Sequence, residues 1–121
     1  MENKSSWVAL KCVKTSKYLV GLRSDGKGWN FFGGCVEEWE SPDDAALREF
    51  AEETSITLRR VTLFHDSSGV NMYVSNTDQE IDPVLNDEHT AYAWLTLDEI
   101  KERDLHKVTD AFVKKLDPYG R

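Results

Sequence analysis

One stretch constrains this chain more than any other: residues 34–56, GCVEEWESPDDAALREFAEETSI. Ser41, Pro42, Asp43 and Asp44 form a helix start, with Ser41 as N-cap and Pro42 at the first helical position. Asp44 stands at the third helical position, where it can reach back in a capping-box role. The pattern that follows predicts a helix over about residues 42–54. Glu49, Glu52 and Glu53 stand at i, i+3 and i+4, so they share one face of that helix. Leu47, Phe50, Ala51 and Thr54 fall on the opposite face. The helix is thus expected to set a core side against a carboxylate side.

Like charges at that spacing repel, at about 0.2–0.5 kcal/mol per pair on an isolated helix. A hard divalent cation over the cluster would remove that cost. Mg²⁺ and Mn²⁺ prefer oxygen ligands, and Mg²⁺ is commonly held by carboxylates together with substrate phosphates. Arg48 and Glu52 are also i,i+4, so an arginine can hold one carboxylate in place. Taken alone, the three acids read as a solvated charged face.

The whole stretch changes that reading, because it resembles the Nudix box: Gly, five residues, Glu, seven residues, then Arg-Glu-apolar-x-Glu-Glu-x-Gly-apolar. Here Gly34 is followed after five residues by Glu40, and seven residues later come Arg48, Glu49 and Phe50. Glu52, Glu53 and Ile56 complete the pattern. Ser55 stands where the pattern has glycine, at a position that follows the helix and favours positive φ. In WNFFGG, Phe32 occupies a position that is often proline in the family, and Trp39 one that is often glycine. None of these departures removes a carboxylate.

The resemblance implies a single α/β domain over residues 1–121, an α/β/α Nudix sandwich with a mixed β-sheet between helices. It implies a hydrolase that depends on Mg²⁺ or Mn²⁺ and cleaves the pyrophosphate linkage of a nucleoside diphosphate joined to a further group. By that resemblance Glu52 and Glu53 bind metal, and Glu49 binds metal or activates water. Arg48 orients the glutamates, the Gly33 carbonyl is a metal ligand, and Gly34 and Glu40 support the site. Glu88, with Asp87 as its neighbouring rival, fits the acid that lies upstream of a Tyr-x-Trp strand and acts as an additional ligand or base. The short chain favours a small nucleoside triphosphate, including an oxidised or non-standard one. ADP-ribose, nucleotide sugars, dinucleoside polyphosphates and capped RNA ends stay open as alternatives. A homodimer is compatible with the family. Two readings of other classes remain: a catalytically silent nucleotide-binding module of the same fold, and a structural protein whose acidic helix is a docking surface.

Composition narrows the remainder. A net charge of −7 over 121 residues argues against a nonspecific nucleic-acid binder, which needs a basic face. Cys12 and Cys35 give no disulfide framework and fit a reducing, cytoplasmic setting. No apolar run approaches the roughly 18 residues of a membrane span, and residues 1–6 do not read as a signal peptide. Strands are predicted over residues 7–13, 18–23, 57–65, 70–75 and 88–95, the first two as a hairpin. Thr96 and Glu99 open a short helix, and a last helix is expected from about His106 to Leu116, ended by Asp117-Pro118. Val108, Ala111, Phe112 and Leu116 are expected to form its apolar face. Arg23 and Lys27, in and beside a glycine-rich turn, read as solvated. Cys35 reads as a small buried side chain, and His89 as a strand-edge or hydrogen-bonded histidine. Trp7, Trp29, Phe31, Tyr73 and Trp94 are aromatic candidates for stacking on a base, with packing the simpler role of each. Trp39, with Trp29, reads the same way.

Overall fold

A computed structural model describes residues 4–117; residues 1–3 and the helix-stopping Pro118 lie outside the described residues. Seven strands form one sheet: β1 (Ser5–Cys12), β2 (Lys17–Arg23), β3 (Trp29–Asn30), β4 (Phe32–Cys35), β5 (Thr62–Ser67), β6 (Val70–Thr77) and β7 (His89–Leu95). Three helices accompany them: α1 (Pro42–Thr54), α2 (Leu97–Lys101) and α3 (Lys107–Leu116). The strand order is β3-β2-β1-β6-β5, with β4 also paired to β1 and β7 to β2. β1 and β6 run parallel from Ser5↔Val70 to Cys12↔Thr77, and the remaining pairs are antiparallel, so the sheet is mixed.

β1 is buried on both faces, which is why WVAL reads as a continuous apolar run. Successive side chains point to opposite faces. Val8 and Leu10 join Phe50, Ala46, Phe32 and Tyr73 under α1. Trp7 and Ala9 join Phe31, Met72, Ile100 and Phe112 under α2 and α3. The neighbouring phenylalanines Phe31 and Phe32 are both fully buried and divide between the two layers. The result is the expected α/β sandwich, with helices on both sides of a mixed sheet.

The first two strands pair only at Lys11↔Tyr18 and Cys12↔Lys17. Past that point they part, and β4 takes the place of β2 against β1, from Ser5↔Cys35 to Val8↔Phe32. WNFFGG therefore contributes two short strands where the sequence suggested a loop. That insertion brings Gly33 and Gly34 beneath α1, and it positions the site.

Several expectations need correction. Residues 57–61 belong to no strand and bend at Arg59, and β5 begins only at Thr62. Ser41 accepts a hydrogen bond from the Asp44 N–H at 3.2 Å, which is the Ser41 half of the anticipated capping box. The full box occurs instead on α2, between Thr96 and Glu99. On α3, Ala111 is exposed, and the buried residues are Thr109, Phe112 and Val113. Thr109 is drawn inward because its hydroxyl accepts from the buried Phe31 N–H at 2.9 Å. Trp39 is 80% exposed, against the packing role expected of it.

Candidate active site

α1 begins and ends as its sequence predicts. The Ser6 hydroxyl donates to the Pro42 carbonyl at 2.8 Å, and the Tyr73 hydroxyl to Asp43 at 2.6 Å, so β1 and β6 hold the first turn. At the other end Ser55 adopts φ 61°, the left-handed conformation that glycine would take freely. Its N–H donates to the Ala51 carbonyl, and its hydroxyl donates to the Val84 carbonyl at 3.0 Å. The departure from glycine is accommodated and compensated locally.

The acids on α1 do not form one solvated face. Glu53 is 3% exposed, buried on the side of α1 that meets β4. Its Oε1 accepts from the Gly33 N–H at 2.9 Å. Glu49 is half-buried, and Glu52 is exposed. The sheet, rather than the helix, decides this. Gly34 lies so close to Glu49 that a Cβ there would overlap its carboxylate, and a Cβ on Gly33 would overlap the backbone of β1 at Ser6 and Trp7. Two glycines in succession let α1 settle directly on the strand.

Oxygens of Glu49, Glu53 and Glu88 come within 4.8 Å of one another. Glu88 precedes β7, and its backbone carbonyl accepts from the Ser24 N–H at 2.9 Å. Of the two neighbouring acids, Glu88 joins this cluster and Asp87 does not. Glu52 is not in it either: it turns to Arg48 at 3.2 Å. Arg48 is the hub of the outer shell. It bonds Glu40 at 2.6 Å, Glu49 at 2.8 Å and the Cys35 carbonyl at 3.1 Å. Glu40 thus lies against Arg48.

The electrostatics follow from this packing. Burial pushes the Glu53 carboxyl up to about 9, and the adjoining Glu88 carboxyl adds to the shift. Burial also raises Glu49, against the opposing pull of Arg48. The bond to Glu40 raises Arg48, which stays charged. Three carboxylates facing one another at this range are poorly stable as three anions. An all-oxygen set of this kind suits a hard divalent cation, whose charge would let all three ionise. Gly33 stands beside this set, its N–H bonded to Glu53.

The carboxylates open on a cavity of about 370 Å³, whose walls include Trp7, Arg23, Cys35 and His89. Two of these, Arg23 and Cys35, depart from the sequence reading, whereas His89 is hydrogen-bonded as expected. Arg23 is not simply solvated: it stands at the cavity wall, ion-paired with Asp25 at 2.6 Å. Cys35 is exposed rather than buried. His89 is buried, and its Nε2 lies 2.7 Å from Asn30 Oδ1. The pairing of β2 with β7 sets Arg23 opposite His89, and a long-range pairing leaves no local signal in the sequence. Among the aromatic candidates, Trp7 alone lines this cavity; Phe31 and Tyr73 are fully buried in the two layers.

The chain matches the family model described as the NUDIX domain over residues 4–116. It is 26% identical to the mouse oxidized purine nucleoside triphosphate hydrolase over 116 residues, covering 87% of this chain and 74% of the relative. It is 30% identical to the nucleoside triphosphatase NudI of Salmonella newport (strain SL254) over 115 residues, covering 76% of this chain and 82% of the relative. In fold it resembles a solved MutT, from a study of the Aliivibrio salmonicida and Vibrio cholerae proteins. That likeness has a TM-score of 0.78 at 22% identity and covers 99% of this chain and 100% of the other.

Proposed function

The chain belongs to the Nudix family of pyrophosphohydrolases, and on that premise we propose that it hydrolyses the pyrophosphate linkage of a nucleoside triphosphate, including oxidised or non-standard ones, with the aid of Mg²⁺ or Mn²⁺. The observation that carries this reading is the convergence of Glu49, Glu53 and Glu88 within 4.8 Å on one cavity. The triphosphate follows from the relatives, both named for activity on nucleoside triphosphates.

The metal site is assigned to Glu49, Glu53 and Glu88, with the Gly33 carbonyl completing it and Glu52 at its outer edge. When bound there, a divalent ion neutralises charge on the phosphates and lowers the pKa of water. The protein's own part is positioning. Gly33 N–H holds the Glu53 carboxylate, and Arg48 holds Glu49 while Glu40 holds Arg48. Arg23 stands where it can exchange Asp25 for a substrate phosphate, since a guanidinium binds either in the same forked geometry. Preorganised groups of this kind need not reorient as charge develops in the transition state. Glu49 and Glu88 are the two candidates for accepting a proton from the attacking water.

Both cysteines are free, which agrees with the proposed reducing, cytoplasmic setting. No helix among the described residues is long and apolar enough to cross a membrane.

The test is phosphate and pyrophosphate release over a nucleotide panel with Mg²⁺, with Mn²⁺ and with EDTA. Ordinary and oxidised deoxynucleoside triphosphates, ADP-ribose, nucleotide sugars and dinucleoside polyphosphates belong in the panel. Metal-dependent cleavage of a triphosphate is the expected result. Cleavage confined to another class would overturn the substrate assignment, and nucleotide binding without any cleavage would overturn the enzyme reading.

A further inference from the structure

A second cavity, of about 500 Å³, lies away from the carboxylates and shares no lining residue with them. Its walls are the segment after α1 and the far end of β6, with Ile81 of the following loop on one side. Ile56, Leu58, Val74 and Ile81 provide an apolar surface within it. Arg59 and Arg60 stand on its rim, both exposed.

These two arginines differ from the others. Among the described residues, Arg23 is paired with Asp25, Arg48 with Glu40 and Glu49, and Arg103 lies over the Trp29 ring at 5.5 Å. Arg59 and Arg60 have neither an ion pair nor a side-chain hydrogen bond among the described residues. A chain of net charge −7 has acids to spare for pairing, yet two adjacent guanidiniums are left open on one cavity. The segment that carries them precedes β5 and is tied to β6 by the Ser75 hydroxyl, which donates to the Arg60 carbonyl at 3.1 Å. Guanidinium groups recognise phosphate in a forked, bidentate geometry. A cavity of this volume falls in the range that holds a small molecule, and this one sets its apolar side chains beside polar ones, Asn76 and Thr77 among them.

We propose that this cavity is a second ligand site, distinct from the catalytic one, for a small phosphorylated molecule with an apolar portion. The phosphate sits on Arg59 and Arg60, and the apolar portion covers Ile56, Leu58 and Ile81. Thr57 and Thr62 line the same cavity, and their hydroxyls can serve the polar edge of the ligand.

The test is a ¹H–¹⁵N NMR titration of the full chain in EDTA, with AMP in one arm and inorganic pyrophosphate in the other. AMP is expected to shift the amides of Leu58, Arg59, Arg60 and Ser75, independently of any shift at Gly33 and Gly34. The Arg59→Gln/Arg60→Gln double variant is expected to weaken binding at this cavity by at least about tenfold, the scale of one lost charge-assisted hydrogen bond. It should leave shifts at Gly33 and Gly34, and metal-dependent turnover, unchanged. An Arg59→Lys/Arg60→Lys variant keeps the charge and should bind more weakly than wild type but better than the glutamine variant. The lysine variant also decides the matter if the glutamine variant folds poorly. Absence of shifts at this cavity at millimolar AMP would overturn the proposal, as would shifts that survive the glutamine variant. Pyrophosphate binding there as tightly as AMP would overturn the apolar half of the assignment.

Discussion

Helices α1 and α3 cover opposite faces of one sheet, and both bury a phenylalanine, Phe50 and Phe112. They differ in what else they bury. α3 turns Thr109, Phe112 and Val113 inward, and the buried hydroxyl is satisfied by the Phe31 N–H. α1 buries Ala45, Ala46 and Phe50 near its middle, but its last turn carries Glu53 into the interior beside Glu88. One face is thus built for packing alone, whereas the other gives up part of its apolar contact to hold a charge-bearing group. The lesson is a division of labour: loss at the α3 face should register as stability, and loss at the end of α1 as turnover.

The largest effect expected tests the packing face. Phe112→Ala should cost about 3–5 kcal/mol of folding stability, through lost burial and the cavity left behind. Urea unfolding measures it, and turnover per folded molecule should stay near wild type. A fall in turnover beyond the unfolded fraction would break the division between the faces.

Glu53→Gln is the reciprocal experiment. Turnover should fall by about 10²–10³-fold, the scale seen when one preorganised electrostatic group is lost. The Gly33 N–H keeps an acceptor in glutamine, so metal-free stability should stay close to wild type. In the wild type, Mg²⁺ at 100 times its Kd should add about 2.7 kcal/mol and raise Tm, and EDTA should abolish the gain. In the Gln variant that gain should largely disappear. A fully active Glu53→Gln protein would remove the site assignment altogether.

A smaller effect sharpens the comparison at the start of α3. His106 is its N-cap, with Nδ1 accepting from the Val108 N–H at 3.3 Å, and burial lowers its pKa below the ordinary 6.5. The sign follows from proton counting: the unfolded chain takes up the proton first as pH falls. The stability His106 contributes is therefore present above about pH 6.5 and is lost as pH drops below it toward the folded value. His106→Asn keeps a capping group that does not titrate. Its stability should fall less than that of wild type between neutral and mildly acid pH, as measured by thermal melts across that range.

The smallest effect is expected at the end of α1. Ser55→Gly relieves a left-handed conformation worth about 1–2 kcal/mol, and gives up a hydroxyl bond to Val84 worth about 0.5–1.5 kcal/mol. The two nearly cancel, so the change in Tm should be slight. A large loss would mean that the tie to Val84, rather than the helix cap, holds the loop that leads to Glu88.

What was legible in the sequence was what local chemistry dictates. Ser41, Pro42 and the apolar spacing place α1 at its observed limits, because caps and periodicity act within a few residues. The spacing of Arg48, Glu49, Glu52 and Glu53 marked the helix as the candidate site, and the apolar run WVAL marked a strand. What only the tertiary structure decided was which carboxylates meet. Glu49, Glu52 and Glu53 are equivalent by spacing, yet docking on Gly33 and Gly34 buries Glu53, half-buries Glu49 and leaves Glu52 to Arg48. The third member, Glu88, comes from 35 residues beyond Glu53 and is delivered by the pairing of β7 with β2. A helix sets the spacing of its side chains, but which of them are buried depends on the surface it packs against, and that surface is assembled from strands far apart in the chain.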